Sequence, residues 1–272
     1  SVTSGSTVSG QTLSCTNTGS ITNVGSTTKT LSTVTVKSGT TDVSSNYSIT
    51  KVNGTLTVTG KAVTVTASNQ SSTYTGSAIS ANASCTATGL ISGHTVTCTN
   101  TGSRTDVGST TKTLSTVVIK NSGGTDVTSN YTVTKTNGTI TVTQRAITVT
   151  ASDQSSTYTG SAISANASCT ASSGGLVSGH TVTCTNTGSI TTVGSTTKTL
   201  STVVIKNSGG TDVTSNYSVS KVNGKITVTA RVITVTATNQ SKAYDGTALN
   251  ADTTCSVTSG STVSGQTLSC TN

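Results

Sequence analysis

An all-β chain built from small sandwich domains arranged end to end is the fold that this sequence predicts, and three observations carry the prediction. Composition is the first: the 272 residues include no Phe, Trp, Met or Pro, only 30% are hydrophobic, and Ser and Thr dominate. One large core cannot be built from so little apolar bulk, whereas Val, Ile and Thr lose little rotamer freedom on a pleated strand. Periodicity is the second, because AVTVTAS (62–68) and AITVTAS (146–152) alternate apolar and hydroxyl side chains as half-buried strands do. Self-similarity is the third: KAVTVTASNQS, RAITVTASDQS and RVITVTATNQS open at Lys61, Arg145 and Arg231, a period of 84 to 86 residues. Low hydrophobicity with much Ser and Thr also describes a disordered mucin-like stalk. The absence of Pro and the periodic apolar residues favour many small folded units.

The repeat divides the chain into a partial unit at 1–60 that lacks its beginning, complete units at 61–144 and 145–230, and a partial unit at 231–272 that lacks its end. After each opening strand comes a Tyr-Thr-Gly or Tyr-Asp-Gly turn at Tyr74, Tyr158 or Tyr244. SANASCTA and HTVTCTN then flank a glycine-containing turn, at a spacing that suits neighbouring antiparallel strands. TTKTLSTVVIK predicts another strand, interrupted by NSGG or SGT. NYTVTKTNGTITVT predicts two more joined at Asn-Gly, with Tyr47, Tyr131 and Tyr217 in one phase at the Asn-Tyr pair. Six or seven short strands in about 85 residues fit a small sandwich. ITVTQRAITVT (140–150) runs one closing strand into the next opening strand with almost no spacer, so successive units are expected to form a beaded rod with restricted bending.

Charge is sparse. Twelve Lys, three Arg, seven Asp and no Glu give a formal +8 spread over the whole chain. Without a dense basic stripe or a row of aromatic platforms, no nucleic-acid partner is expected. No run of eighteen apolar residues, signal peptide or sorting motif occurs, so this segment is not expected to insert into a membrane.

Seven cysteines fall into phase as Cys85 with Cys98, Cys169 with Cys184 and Cys255 with Cys270, at separations of 13, 15 and 15, with Cys15 left over. Disulfides are the reading preferred here, with a reduced structural pair as the alternative. Metal is disfavoured because the tight CxxC spacing is missing and His94 and His180 are replaced by Gln11 and Gln266 in the flanking units. Closing a loop of this size is worth on the order of 3 kcal/mol, and oxidised pairs imply secretion or surface display.

No residue set predicts catalysis, a metal site or a cofactor. His94 and His180 each precede a cysteine by four residues, but the cysteines are better assigned to disulfides, and the histidines read as solvent-facing strand or turn residues. Asp42, Asp126 and Asp212 recur in TDV, where one carboxylate orders a turn but does not make a calcium cage. The tyrosines read as rings packed into small cores with the hydroxyl at the edge. Lys29, Lys112 and Lys198 in TTKTL, and Lys51, Lys135 and Lys221 before the Asn-Gly steps, read as exposed lysines rather than partners in Lys–Asn or Lys–Asp crosslinks. Nine Asn-X-Ser/Thr sequons, including Asn46, Asn53, Asn69, Asn82 and Asn130, leave glycosylation and lateral self-association both open.

The opening strand, the Tyr-Thr-Gly or Tyr-Asp-Gly turn, the VGS segment and the closing NYxxxxxNGxxTVT together resemble the MBG/YDG-type bacterial immunoglobulin-like repeats of large surface proteins. RAITVTASDQSSTYTG (145–160), TTVGSTTKTL (191–200) and NYSVSKVNGKITVT (216–229) give one nearly full cycle, and Tyr244-Asp245-Gly246 carries the YDG signature itself. Tyr74 and Tyr158 are followed by Thr-Gly, and the paired cysteines depart from the usual cysteine-poor form. The resemblance implies Ig-like sandwiches in a stalk, adhesin or matrix role outside the cell, with no catalytic residues to carry over. The expected partners are copies of the chain or neighbouring repeats in a fibre. Surface glycans or a host surface, bound by the repeats themselves, are the alternative.

SVTSGSTVSGQTLSCTN occurs twice, at 1–17 and 256–272, three domain lengths apart. The higher-order repeat is therefore a three-domain cassette. On that reading a cysteine is expected immediately before Ser1, bonded to Cys15, and something close to TGSITNVGSTTKTL is expected after Asn272.

Overall fold

A computed structural model describes residues 1–271. Apart from three 3-10 turns, Ser44–Asn46, Thr128–Asn130 and Thr214–Asn216, every regular element among the described residues is a strand. The strands form several small sheets of mixed pairing, which makes the molecule an all-β, multi-domain chain of sandwich-like repeats. It divides into two compact units. One comprises Ser1–Ser71, Ile79–Arg104 and Ser109–Thr141; the other comprises Ser72–Ala78, Thr105–Gly108 and the chain from Val142 onward.

The second unit contains the whole 145–230 repeat. Gln154–Thr157, Gly224–Thr229, Gly194–Lys206 and Thr181–Thr187 lie in that order in one sheet, and Cys169–Ala171, Arg145–Ala151 and Tyr217–Val222 in another. Ile163–Ser164 and Ser189–Ile190 form a separate short pair. The opening and closing strands pair in parallel, Arg145 with Tyr217 through Thr150 with Val222, and Gln154 with Ile226 through Thr157 with Thr229. Parallel pairing needs a long connection, and the intervening body of the repeat provides it. The 13-residue strand Gly194–Lys206 pairs antiparallel first with Gly224–Val228 and then with Thr181–Thr187. The register shifts between Thr185 and Asn186, opposite Leu200 and Thr202, as a bulge does where a strand bends.

Two expectations from local sequence are corrected here. The cysteine-bearing runs are not neighbours: Cys169–Ala171 pairs with Val149–Ala151, while Thr181–Thr187 pairs in the other sheet. Nor does Asn-Gly join a hairpin, because Tyr217–Val222 and Gly224–Thr229 belong to different sheets. A Cβ on Gly224 would sit 2.3 Å from the Ala151 carbonyl oxygen, so glycine is required by a close backbone crossing. Asn223 Oδ1 accepts from Leu200 N–H at 3.0 Å across the same step. The alternating apolar residues meet between the sheets. Ile147, Val149 and Ala151 are buried from one side, and Leu200, Val203, Ile205, Ile226 and Val228 from the other.

The first unit repeats this plan in residues 61–71, 79–104 and 109–141. Lys61–Thr66 pairs in parallel with Tyr131–Thr136 and Thr64–Ala67 antiparallel with Cys85–Thr88. Thr113–Lys120 pairs with Thr95–Thr101. Val63, Val65, Ala67, Leu114, Val117 and Ile119 pack with Cys98 and Tyr131 in the core. Residues 1–60 supply the strands Gln11–Thr18, Gly25–Ser38, Thr41–Asp42 and Gly54–Val58. The stretch NYSITKVNG (46–54) is nearly NYSVSKVNG (216–224), yet only the latter forms a strand over its tyrosine segment. What differs is the parallel partner, which residues 1–60 lack.

Candidate functional site

The chemistry-bearing residues gather in two recurring places, a cross-braced interior and a clasp onto loops of the preceding repeat. In the interior, Cys85–Cys98, Cys169–Cys184 and Cys255–Cys270 are bonded with Cα atoms 6.4, 6.4 and 6.3 Å apart. In the 145–230 repeat the bond ties the three-stranded sheet to the four-stranded one. Cys15 is exposed and free among the described residues.

Beside each bond in the complete repeats lies a lysine that the sequence reading places at the surface. Lys112 and Lys198 are instead fully buried, at 0% exposure. Lys112 Nζ donates to Ser68 O at 2.9 Å, Asn82 Oδ1 at 2.5 Å and Ser84 O at 3.5 Å. Lys198 Nζ meets Ser152 O, Asn166 Oδ1 and Ser168 O at 2.8, 2.5 and 3.5 Å. Three oxygens thus receive the three ammonium protons, with no carboxylate among them, and burial pushes Lys112 below its ordinary value. Lys29, their counterpart in 1–60, is exposed. Lysine in a hydroxyl-rich strand gives no local sign of this burial; the signal is the in-phase Asn82 and Asn166.

The histidines are likewise not solvent-facing. Half-buried His94 shares a hydrogen bond between Nδ1 and Tyr131 Oη at 2.7 Å, and His180 does the same with Tyr217 Oη at 2.8 Å. The same tyrosine oxygens accept from Ile91 N–H at 3.2 Å and Val177 N–H at 3.1 Å. Burial lowers the proton affinity of His180. In residues 1–60, Tyr47 donates to Gln11 Oε1 and accepts from Val8 N–H. The His-to-Gln exchange therefore preserves a polar partner for the tyrosine, which explains why a base is dispensable.

In the second unit, Tyr74 packs edge-on against Tyr217, with ring centroids 5.6 Å apart, and lies 6.1 Å from His180. The glycine of its turn, Gly76, has φ of +79°, and a Cβ there would lie 2.9 Å from Val177 Cγ1. Tyr158 repeats the contact one period later, accepting from Gln266 Nε2 at 2.8 Å, with Gly160 against Val263. These tyrosines thus leave the core of their own repeat to pack on the next one, contrary to the expectation for them.

The asparagine before each core tyrosine completes the clasp. Within the first unit, Asn130 Oδ1 accepts from Val24 N–H at 2.8 Å and its Nδ2 donates to Asn23 Oδ1 at 2.9 Å. Within the second, buried Asn216 accepts from Val107 N–H and donates to Asp106 Oδ1, both at 2.8 Å. Gln144, the single residue between the strands ending at Thr143 and starting at Arg145, donates to Ser215 O at 3.0 Å. Asn216→Ala should therefore loosen residues 105–108 by about 1–2 kcal/mol. Hydrogen exchange should quicken at those amides while the core strands of 145–230 keep their protection; uniform loss across the repeat would contradict a local clasp.

Asp126 and Asp212 order turns, accepting from the Thr128 and Thr214 hydroxyls at 2.6 Å and N–H groups at 2.9 Å. These bonds, hydroxyl first, hold both carboxyls below the ordinary range. Most sequon asparagines are structural too: the side-chain oxygens of Asn53, Asn69 and Asn137 accept backbone N–H groups, in addition to Asn82, Asn130, Asn166 and Asn216 above. No group of three or more His, Cys, Asp or Glu side chains that could hold a metal, and no helix long and apolar enough to cross a membrane, occurs among the described residues.

This arrangement joins and braces. The chain is a structural module of repeated, disulfide-stabilised β-domains. No family model, no curated protein and no solved structure matches it.

Proposed function

We propose that this module is a segment of an extracellular fibre or adhesin stalk at a cell surface. The observation that carries the reading is the recurring clasp, in which Asn130 and Asn216 grip equivalent loops and Tyr74 and Tyr158 pack on equivalent positions one repeat apart. The recurring special residues are spent on holding neighbouring repeats, the asparagines on the preceding one and the tyrosines on the following one. The cross-sheet disulfides support an oxidising, exported location, and the resemblance to MBG/YDG-type surface repeats supports the same reading. Electron microscopy of native surface material with an antibody against the repeat tests it. Labelled fibres outside the cell are expected; label confined to the cell interior would overturn it. Saturable binding of the purified array to a defined glycan would instead favour repeats that are themselves receptors.

A further inference from the structure

The seat on which Tyr74 packs in the second unit contains one titratable base. Tyr74 and Tyr217 are 2% and 3% exposed, and half-buried His180 lies against both, with ring centroids 6.1 and 6.0 Å away. Tyr217 Oη accepts from Val177 N–H at 3.1 Å and lies 2.8 Å from His180 Nδ1. A phenol carries a single proton, so the arrangement that uses both contacts has Tyr217 donating to a bare Nδ1. Residues 1–60 show the same polarity with a group that does not titrate: Tyr47 accepts from Val8 N–H and donates to Gln11 Oε1. His180 therefore belongs in the seat as the neutral ring, protonated on Nε2.

We propose that the Tyr74 seat is an acid-sensitive joint, closed while His180 is neutral and loosened when His180 takes up a proton. The proposal goes beyond the reading of the chain as a surface fibre and stands on this geometry alone. A proton on Nδ1 sets two donors face to face, and the Tyr217 hydroxyl must then turn away within a site that is 3% exposed. A buried donor left without a partner costs its full desolvation penalty, and the imidazolium also loses its water beneath Tyr74. The other titratable groups around His180 are the phenols of Tyr74 and Tyr217 and the carboxylate of Asp106; no Lys or Arg lines the cleft there. Asp106 attracts an imidazolium, but its Oδ1 already accepts from Asn216 Nδ2 at 2.8 Å, and burial holds His180 below its ordinary 6.5. Between the two values the unfolded segment binds the proton and the seated ring does not, so the joint loses stability as pH falls below 6.5.

The chain carries its own control. Gln11, His94, His180 and Gln266 stand in one phase of the repeat, and at the seat one period after Tyr74, Tyr158 accepts from Gln266 Nε2 at 2.8 Å. A carboxamide gains no proton in the range where imidazole titrates, so the Tyr158 seat is indifferent to acid. The exchange of His for Gln along the chain thus sets which joints respond, without changing the polar partner that the seat offers.

NMR of the whole 272-residue chain, labelled at the His and Tyr ring carbons, tests this between about pH 8 and about pH 5. The His180 ring should titrate below 6.5, and the Tyr74 ring signals should move with the same midpoint while those of Tyr158 do not. Over that range, exchange of the Val177 amide, corrected for its intrinsic pH dependence, should quicken about tenfold, as expected for loss of its hydrogen bond to Tyr217. His180→Gln should keep Tyr74 seated near neutrality and abolish the response to acid, whereas Asp106→Asn should leave the response in place. A His180 ring that titrates at or above 6.5, Tyr74 signals that stay fixed while it titrates, or a response that survives His180→Gln or disappears with Asp106→Asn would each overturn the proposal. The wild-type titration decides the matter even where a variant fails to fold, and the location of the fibre, read by microscopy, is independent of it.

Discussion

Replacing Cys169 and Cys184 together with serine is expected to destabilise the 145–230 repeat by roughly 3 kcal/mol, the loop-closure value for a link of this length. The effect is large because little else is available. The repeat has no Phe, Trp or Met, its buried side chains are mostly Val, Ile and Leu, and a domain of this size has only a modest excess of burial over chain entropy. The bond also joins strands of opposite sheets, so its loss frees the sandwich to part. Native-state hydrogen exchange can assign the loss to one repeat: amides of Arg145–Ala151 and Gly194–Lys206 should exchange faster, while those of Lys61–Ala67 should be unchanged. Equal protection with and without the bond would count against a bracing role.

Lys112→Met is expected to cost about 2 kcal/mol, although methionine fills nearly the same space and removes a buried charge. Its ammonium is the cap for Ser68 O and Asn82 Oδ1, and a thioether donates to neither. The pH dependence separates this from a packing defect. Burial lowers the folded-state value of Lys112 below the ordinary 10.5. Between the two values the unfolded chain binds more protons than the folded one, so wild-type stability rises with pH there. The difference between wild type and Lys112→Met should grow as pH rises toward 10.5. A difference that shrinks over that range would show that the lysine is not held as described.

The clasp and the lysine cage were both legible only as phase, never as chemistry. Asn130 and Asn216 stand in one register with Tyr131 and Tyr217, and a sequence reading sees sequons in a Ser/Thr-rich chain. Their role depends on Val24 and Val107, more than a hundred residues away. His94 and Gln11 share a phase in the sequence, but why one can replace the other shows only when they are found against the hydroxyls of equivalent tyrosines, Tyr131 and Tyr47.

The sequence by itself determined the all-β class, the repeat phase and the alternation that puts Val63, Val65 and Ala67 inward, because those depend on neighbours two residues apart and on composition. Only the tertiary structure decided which strands share a sheet. Asn-Gly crosses between sheets at Gly138 and Gly224 because Ala67 O and Ala151 O lie where a side chain would be. NYSVSKV is a strand where Arg145–Thr150 runs beside it, while NYSITKV lacks both partner and strand. A strand's hydrogen bonds are made to a partner, so half of what defines it lies elsewhere in the chain.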